Sequence, residues 1–268
     1  MAPTPGAPGT ISSADNTLVK NLRRLSGQAT AYRKLGQFWI AGDHLCRAAL
    51  ARGCVPAVVC YAETFFASAT PDISHVAATR VVLADRLFAL VNGMESSAGM
   101  GFLMDLPATM TVRPGCATVV LDRIQDAGNV GSILRSAAAF GFRQVVAIKG
   151  TAALWSPKVL RAGMGAHFGL ELVESVDYPE ALALQLPLVV TSSHGGEALQ
   201  QTQLPWPCAW VFGHEGQGVD EVLLRRAAYR VRIEQPGGEE SLNVAAAAAI
   251  CLHAGRTLSV IPGSVPKL

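Results

Sequence analysis

No apolar run in this 268-residue chain exceeds nine residues, the stretch Val244 to Leu252. A membrane-spanning helix needs about twenty, so none is expected. The opening residues, MAPTPGAPGTISSADN, lack the basic start and apolar stretch of a secretory signal. Their Pro, Gly, Ala, Ser and Thr predict a disordered tail over 1–16. Charge is scarce: 16% of residues are charged, 22 basic against 20 acidic, for a net charge of +2. That excludes a strongly basic coat protein and an acidic scaffold, but not a local nucleic-acid patch. The six cysteines, at 46, 54, 60, 116, 208 and 251, include no C-x-x-C pair and no histidine at zinc spacing. They are expected to be reduced and buried as small hydrophobes, with no metal, in a cytoplasmic protein. No G-x-G-x-x-G directly follows a strand, although GMGAHFG at 163–169 is glycine-rich, and no Lys-Ser/Thr closes a glycine loop. A dinucleotide enzyme and a P-loop are therefore disfavoured.

What is present is a half-hydrophobic chain long enough for two modest domains. From Thr17 to about Pro107 short helices and strands mix. Leu18, Leu22 and Leu25 form one helical stripe in LVKNLRRL, with the basic residues off it. FWIAGDHLCRAALARG predicts a strand end and then a helix stopped at Gly53. VPAVVCYA and GMGFLMDL predict strands, and LADRLFALV a helix. After about residue 113, strand runs (ATVVL, QVVAIK, LELV, LPLVV, CAWVF, YRVRI) alternate with helix patterns at 129–140, 156–163, 179–185, 218–227 and 241–254. That alternation predicts a mostly parallel sheet covered on both faces. Such sheets bind ligands at the carboxyl ends of their strands.

Between Asn16 and Gly42 lie Lys20, Arg23, Arg24, Arg33 and Lys34 and no acid, with Tyr32, Phe38 and Trp39 interleaved. The run is either a solvated face or an RNA phosphate-contacting patch.

Three later segments carry candidate chemistry. In LDRIQDAGNVGSILRSAAAFGF, 121–142, a strand runs through a turn into a helix with an apolar stripe of Ile133, Leu134, Ala137 and Ala138. Asn129 opens that helix and Arg135 lies off the stripe, as a helix cap and a solvated arginine or as a pair facing a site at the strand ends. In WVFGHEGQGVDE, 210–221, a buried strand meets three glycines around Glu215. The glycines permit close backbone approach to a ligand, and the acid suits a cationic one better than a phosphate. In VRIEQPGGEESLNVAAAAAICLHAGR, 231–256, a strand and a Pro-Gly-Gly turn precede Ser241-Leu242-Asn243 and an alanine-rich helix ending at Gly255. A capping role accounts for one of Ser241 and Asn243, not both. The small residues Ala245 to Ala249 predict close packing against another backbone.

Taken together and in order, N-x-x-x-x-x-R at 129–135, F-G-x-E-G-x-G at 212–218 and P-G-G-x-E-S-L-N-V at 236–244 resemble the three motifs of the SpoU family of RNA ribose 2′-O-methyltransferases, in the SPOUT superfamily. RAGMGAHF at 161–168 is similar to the family's stretch between the first two. The resemblance covers about 113–260. AYRKLGQFWIAGDHL is similar to the small ribosomal-protein-like substrate-binding domain that many members carry upstream. Three departures stand out: Ala127 and Glu234 where proline is usual, and Ala41-Gly42-Asp43 where a Glu-Gly pair is common.

The resemblance implies an α/β fold with a disordered tail at 1–16, a small ribosomal-protein-like RNA substrate-binding domain at 17–107 and a parallel-sheet SPOUT methyltransferase domain at 113–268 containing a trefoil knot. It implies S-adenosylmethionine held largely by backbone around Thr191, Gly213, Gly216, Ile233 and Leu242. It further implies a homodimer with the site completed across the interface, and Asn129, Arg135, Glu215, Ser241 and Asn243 around the reacting oxygen, with Glu215 holding Arg135 in orientation. The family reading makes the arginine a base. Arginine stays protonated, with a pKa of about 12.5–13.8, so clamping a phosphate and stabilising an alkoxide is an equally physical role. Ribosomal RNA is the expected substrate, given the upstream domain. The alternatives are a tRNA 2′-O-methyltransferase and a non-catalytic RNA-binding assembly factor of the same fold.

Overall fold

Two sheets organise the chain in the computed structural model. The structure describes residues 10–69, 76, 79–92, 98–108, 110–192, 195–237 and 241–257. It divides into two units, Met1–Pro107 with Trp155–Phe168, and Ala108–Leu154 with Gly169–Leu268. The first differs from the expected 17–107 domain by taking in Trp155–Phe168.

The first unit runs β1 (Thr10–Ile11), α1 (Thr17–Gly27), α2 (Ala31–Leu35), β2 (Gln37–Ala41), α3 (Asp43–Ala51), β3 (Val58–Ala62), α4 (Glu63–Ala69), β4 (Thr79–Leu83), α5 (Asp85–Asn92) and β5 (Met100–Asp105). Its mixed sheet has the order β1-β4-β3-β5-β2, with β5 antiparallel to both neighbours. The Asn16 side chain caps α1 by accepting from Leu18 N at 2.9 Å, as a helix start with an open N–H favours. The buried stripe of α1 is Val19, Leu22 and Leu25. The sequence had placed Leu18 on it, but Leu18 is only half-buried. Of the predicted tail, residues 10–16 are ordered: Thr10 and Ile11 pair parallel with Val82 and Leu83. The backbone bonds of an edge strand outweigh a composition that predicts a coil. Residues 1–9 lie outside the described residues.

The second unit opens with β6 (Thr118–Asp122), α6 (Ala127–Ala139) and β7 (Gln144–Ile148). The following segment, Trp155–Phe168, groups with the first unit and carries α7 (Pro157–Gly163). There the Trp155 ring lies 4.6 Å from Phe38, and buried His167 lies 5.3 Å from Trp155. The glycines of 163–169 thus end a helix rather than follow a strand. The second unit continues with β8 (Glu171–Val176), α8 (Tyr178–Leu182), β9 (Leu188–Thr191), β10 (Glu197–Ala198), β11 (Ala209–Gly213), α9 (Glu221–Arg225), β12 (Ala227–Arg232) and α10 (Val244–Thr257). All seven strands are parallel, in the order β10-β12-β9-β11-β6-β7-β8. β6, β7 and β11 are buried along their whole length, which is why they read as continuous apolar runs.

Helix ends shift from expectation for local reasons. Asp126, not Asn129, caps α6, its carboxylate accepting from Asn129 N at 2.8 Å. Ala127 then occupies the first helical position, where proline is favoured because its missing N–H costs nothing there; alanine serves equally well. Gly255 does not stop α10, which runs on to Thr257. A Cβ at Gly255 would lie 2.6 Å from Trp210 Nε1, so this glycine lets the helix approach the buried indole. α10 packs on α6 and β11, as its small residues predicted.

Candidate active site

The strand order reverses around β6: β7 and β8 lie on one side, β11, β9 and β12 on the other. Such a switch point leaves a crevice at the carboxyl ends of the strands. A cleft of about 560 Å³ opens there, where β9 ends at Thr191, β11 at Gly213 and β12 just before Ile233. Its volume suits a drug-sized ligand. All five residues expected to hold a cofactor, Thr191, Gly213, Gly216, Ile233 and Leu242, line it. Glu215, Ser241 and Asn243 line it too, while Asn129 and Arg135 do not.

The loop after β11 is fixed from several sides. His214 and Gly218 exchange backbone bonds of 3.0 and 2.8 Å. His214 Nδ1 accepts from Gly216 N at 3.0 Å and Gln217 N at 3.2 Å. At Gly213 a Cβ would collide with the backbone of Gly218 and Val219, so only glycine fits where the loop closes on itself.

β6 grips the same loop. Gly213 pairs in register with Asp122, an acid buried at the end of an apolar strand. Asp122 accepts from Asp220 N at 2.7 Å, Tyr178 Oη at 3.1 Å and Arg123 Nε at 2.9 Å. Arg123 has a left-handed φ of 60°, and its Nη1 donates to Gln217 Oε1 at 3.1 Å. Its bond to Asp122 holds the guanidinium pKa up, while burial and the neighbouring carboxylate push the Tyr178 phenol up. Asp122, Arg123 and Tyr178 match none of the sequence motifs. The available signal was a carboxylate ending a five-residue buried strand, since an acid there must be paired.

Glu215 accepts from Gln125 N and Asp126 N, both at 3.3 Å, and from Asn129 Nδ2 at 3.1 Å. Burial acts to raise its pKa. Its own backbone amide, Asn129 and the two amides outweigh burial and hold the carboxyl below its ordinary value. Asn243 Nδ2 donates to Asn129 Oδ1 at 3.0 Å, while Asn243 Oδ1 caps α10 by accepting from Ala245 N and Ala246 N at 2.8 and 3.2 Å. This relay fixes both amide orientations. The helix start demands an oxygen from Asn243, and the carboxylate of Glu215 demands a donor from Asn129. Asn243 is therefore both a cap and a site residue.

Arg135 is exposed on the same helix as Asn129. Six residues at about 100° each turn it about 120° away from Asn129. The expected hold of Glu215 on Arg135 is thus replaced by a hold on Asn129. Ser241 is exposed at the cleft and Leu242 is 39% exposed. Gly238 to Glu240 of the third motif lie outside the described residues.

In the first unit Arg23, Arg24, Arg33 and Lys34 are exposed, and Lys20 pairs with Asp15 at 3.0 Å. The interleaved aromatics are not stacking platforms: Tyr32, Phe38 and Trp39 are buried, since their alternation serves the sheet and helix core. Four of the six cysteines are buried, and burial pushes the Cys60 thiol up to about 12, which disfavours a thiolate.

The SpoU rRNA Methylase family model matches residues 117–253, spanning the relay and the whole cleft. The chain belongs to the SpoU rRNA methylase family. It is 32% identical, over 96% of each chain, to an uncharacterized tRNA/rRNA methyltransferase of Synechocystis. It is 29% identical to the 23S rRNA (guanosine(2553)-2′-O)-methyltransferase RlmP of Bacillus subtilis, over 91% of this chain and 97% of that one. The SpoU methyltransferase AviRb of Streptomyces viridochromogenes, solved in complex with AdoMet, superposes with a TM-score of 0.79 at 23% identity, over 90% of this chain and 97% of that one. That likeness covers both units of this SpoU protein, so the α/β architecture with its parallel sheet is that of SPOUT methyltransferase structures. No helix among the described residues is long and apolar enough to cross a membrane.

Proposed function

We propose that this SpoU protein methylates a ribose 2′-hydroxyl in ribosomal RNA. The coarser activity is that of its family, RNA ribose 2′-O-methylation with S-adenosylmethionine. One observation carries the reading: the Asn243–Asn129–Glu215 relay places both its ends, Asn243 and Glu215, in the lining of a cleft at the strand ends. The cleft fits the cofactor by size and by an unpaired buried acceptor, the side-chain oxygen of Gln235. Thr191, Gly213, Gly216, Ile233 and Leu242 would hold the cofactor. When bound, it supplies a methyl group on a sulfonium, already a good leaving group.

The protein's contribution is then mainly positioning and exclusion of water. Glu215, its pKa held down by Asn129 and three backbone amides, is too weak a base to take the ribose proton and serves to orient Asn129. Each relay amide keeps a second N–H, a donor for the ribose oxygen as negative charge develops. Ser241 adds a hydroxyl at the same cleft. Arg135 clamps the target phosphate with its planar fork. If it were instead the base, Arg135→Lys would retain activity with a displaced pH optimum, because lysine deprotonates more readily. The clamp reading expects Arg135→Lys to be nearly as damaged as Arg135→Ala, with an unmoved pH profile.

The first unit binds RNA through Arg23, Arg24, Arg33, Lys34 and Lys20. Ribosomal RNA is favoured over tRNA by the similarity to RlmP across both units. A cytoplasmic location accords with that substrate. The chain acts as a homodimer with the site shared between copies, and the segment after β12 threads a trefoil knot. Two observations support the dimer: Ile250 is 42% exposed on α10, and Arg135 does not line the cleft of its own chain. If the site is shared, mixing inactive Arg135→Ala and Asn243→Ala proteins restores about a quarter of wild-type activity, because half the dimers then carry one intact site. The substrate is tested by mapping 2′-O-methylation in ribosomal and transfer RNA from a deletion strain. A missing methyl in tRNA alone overturns the ribosomal assignment.

A further inference from the structure

Gln235 lines the cleft, and its side-chain oxygen is buried without a hydrogen-bond partner. A buried acceptor left unpaired costs about as much as a lost hydrogen bond, so each one calls for an explanation. The same cleft is lined by Ile233, Leu242 and Val244, aliphatic side chains that suit the faces of a flat ring. A glutamine among them offers an acceptor and a donor on one planar group.

We propose that Gln235 selects the cofactor by its base, its Oε1 accepting a hydrogen bond from the 6-amino group of adenine. This rests on the reading of the cleft as an S-adenosylmethionine site. The cofactor has three kinds of donor: the adenine amino group, the ribose hydroxyls and the ammonium of its amino-acid part. The ammonium is poorly matched by a neutral amide among aliphatic side chains, and the carboxylate of Glu215 in the same cleft suits it better. A ribose hydroxyl rotates and finds an acceptor almost anywhere. The adenine edge is different: a fixed donor beside a fixed ring-nitrogen acceptor, which a glutamine amide complements in both positions. A 6-oxo purine reverses that edge and sets an oxygen against Oε1. Gln235 follows Ile233 by two residues, so the residue that shapes the cleft wall and the one that reads the base come from the same short segment after β12.

The test is calorimetric and needs no turnover. S-adenosylhomocysteine and its 6-oxo analogue, S-inosylhomocysteine, are titrated into the full-length protein and into Gln235→Met, which keeps the side-chain length and removes both polar groups. Wild type is expected to favour the adenine ligand about tenfold, the worth of one buried hydrogen bond. In Gln235→Met the adenine ligand is expected to weaken by about the same factor, leaving the two ligands within about twofold. A wild type that does not distinguish them overturns the proposal, as does a Gln235→Met that keeps the wild-type ratio. If that variant does not fold, Gln235→Ala is titrated with the same two ligands, and a wild-type ratio retained there overturns the proposal. A wild type that binds neither ligand overturns the cofactor reading, and this inference with it.

Discussion

Asn243 Nδ2 lies 3.0 Å from Asn129 Oδ1, joining segments 114 residues apart in the sequence. One amide caps α10, the other reaches from the first turn of α6 to Glu215. The bond couples the start of the C-terminal helix to the loop that closes the cleft. The packing of α10 on α6 brings their N-terminal ends together and lets the relay close.

Asn129→Ala removes both hydrogen bonds of the relay and leaves no side-chain donor. Asn129 is half-buried at the start of α6 and is not its cap, so the melting temperature is expected to stay near wild type. Methyl transfer is expected to fall by about 10²–10³-fold, the usual cost of a lost charge-stabilising donor. Arg135→Ala should do the same for its own reason, loss of the phosphate clamp. Purified Arg135→Ala with near-normal turnover would remove it from the site.

Gly213→Ala forces the backbone at Gly218 and Val219 to shift. The loop carries both Gly216 and Glu215, so affinity for S-adenosylhomocysteine is expected to drop about tenfold or more. Unchanged affinity by calorimetry would mean the loop does not form the cofactor wall.

Asp122→Ala leaves the Arg123 guanidinium, Tyr178 hydroxyl and Asp220 N–H without their shared acceptor. Arg123 keeps Asp220 at 3.6 Å, so the cost is that of leaving buried donors unsatisfied, about 1–3 kcal/mol. Urea unfolding should show a loss of that order, where an ordinary exposed acid would show almost none.

The pKa of Glu215 is held below its ordinary value of 4.5 in the folded protein. Its interactions therefore favour folding fully above that value, and the contribution fades as pH falls through the lower folded value. Cofactor affinity is expected to be flat above that ordinary value and to fall on acidification through the lower folded one, as the Glu215 carboxylate in the cleft loses its charge. In Glu215→Gln this acid limb should be absent; an identical limb in the variant would place the titration elsewhere.

Charge reversal at Arg23, Arg24 and Arg33 should weaken RNA binding while leaving affinity for S-adenosylhomocysteine intact. Each lost phosphate contact flattens the salt dependence of log affinity by about 0.7–0.9. Lys20 is expected to matter less, because Asp15 already neutralises it. An unchanged slope would make the run a solvated face.

The sequence by itself determined the parallel sheet, because strands buried on both faces read as mostly apolar runs, as β6, β7 and β11 do apart from Thr118, Asp122 and Gln144. Thr191, Gly213, Gly216, Ile233 and Leu242, carried over from the resemblance to the SpoU motifs, all line the cleft, because their segments follow the carboxyl ends of neighbouring strands. The sequence named Asn129, Glu215 and Asn243 but not their pairing, because hydrogen bonds across 86 and 114 residues have no local signature. Helix periodicity placed Arg135 off the apolar stripe, yet could not say which way a side chain six residues beyond Asn129 would turn relative to the cleft. The segment Trp155–Phe168 looked continuous with its neighbours, and its packing, Trp155 against Phe38 and α7 against β2 and α1, assigned it to the first unit. Tyr32, Phe38 and Trp39 looked equally suited to stacking on bases or to filling a core; burial, a property of the assembled sheet and helices, decided for the core. The grip of Asp122 and Arg123 on the loop after β11 likewise arose only when β11 was inserted beside β6, bringing Asp122 into register with Gly213.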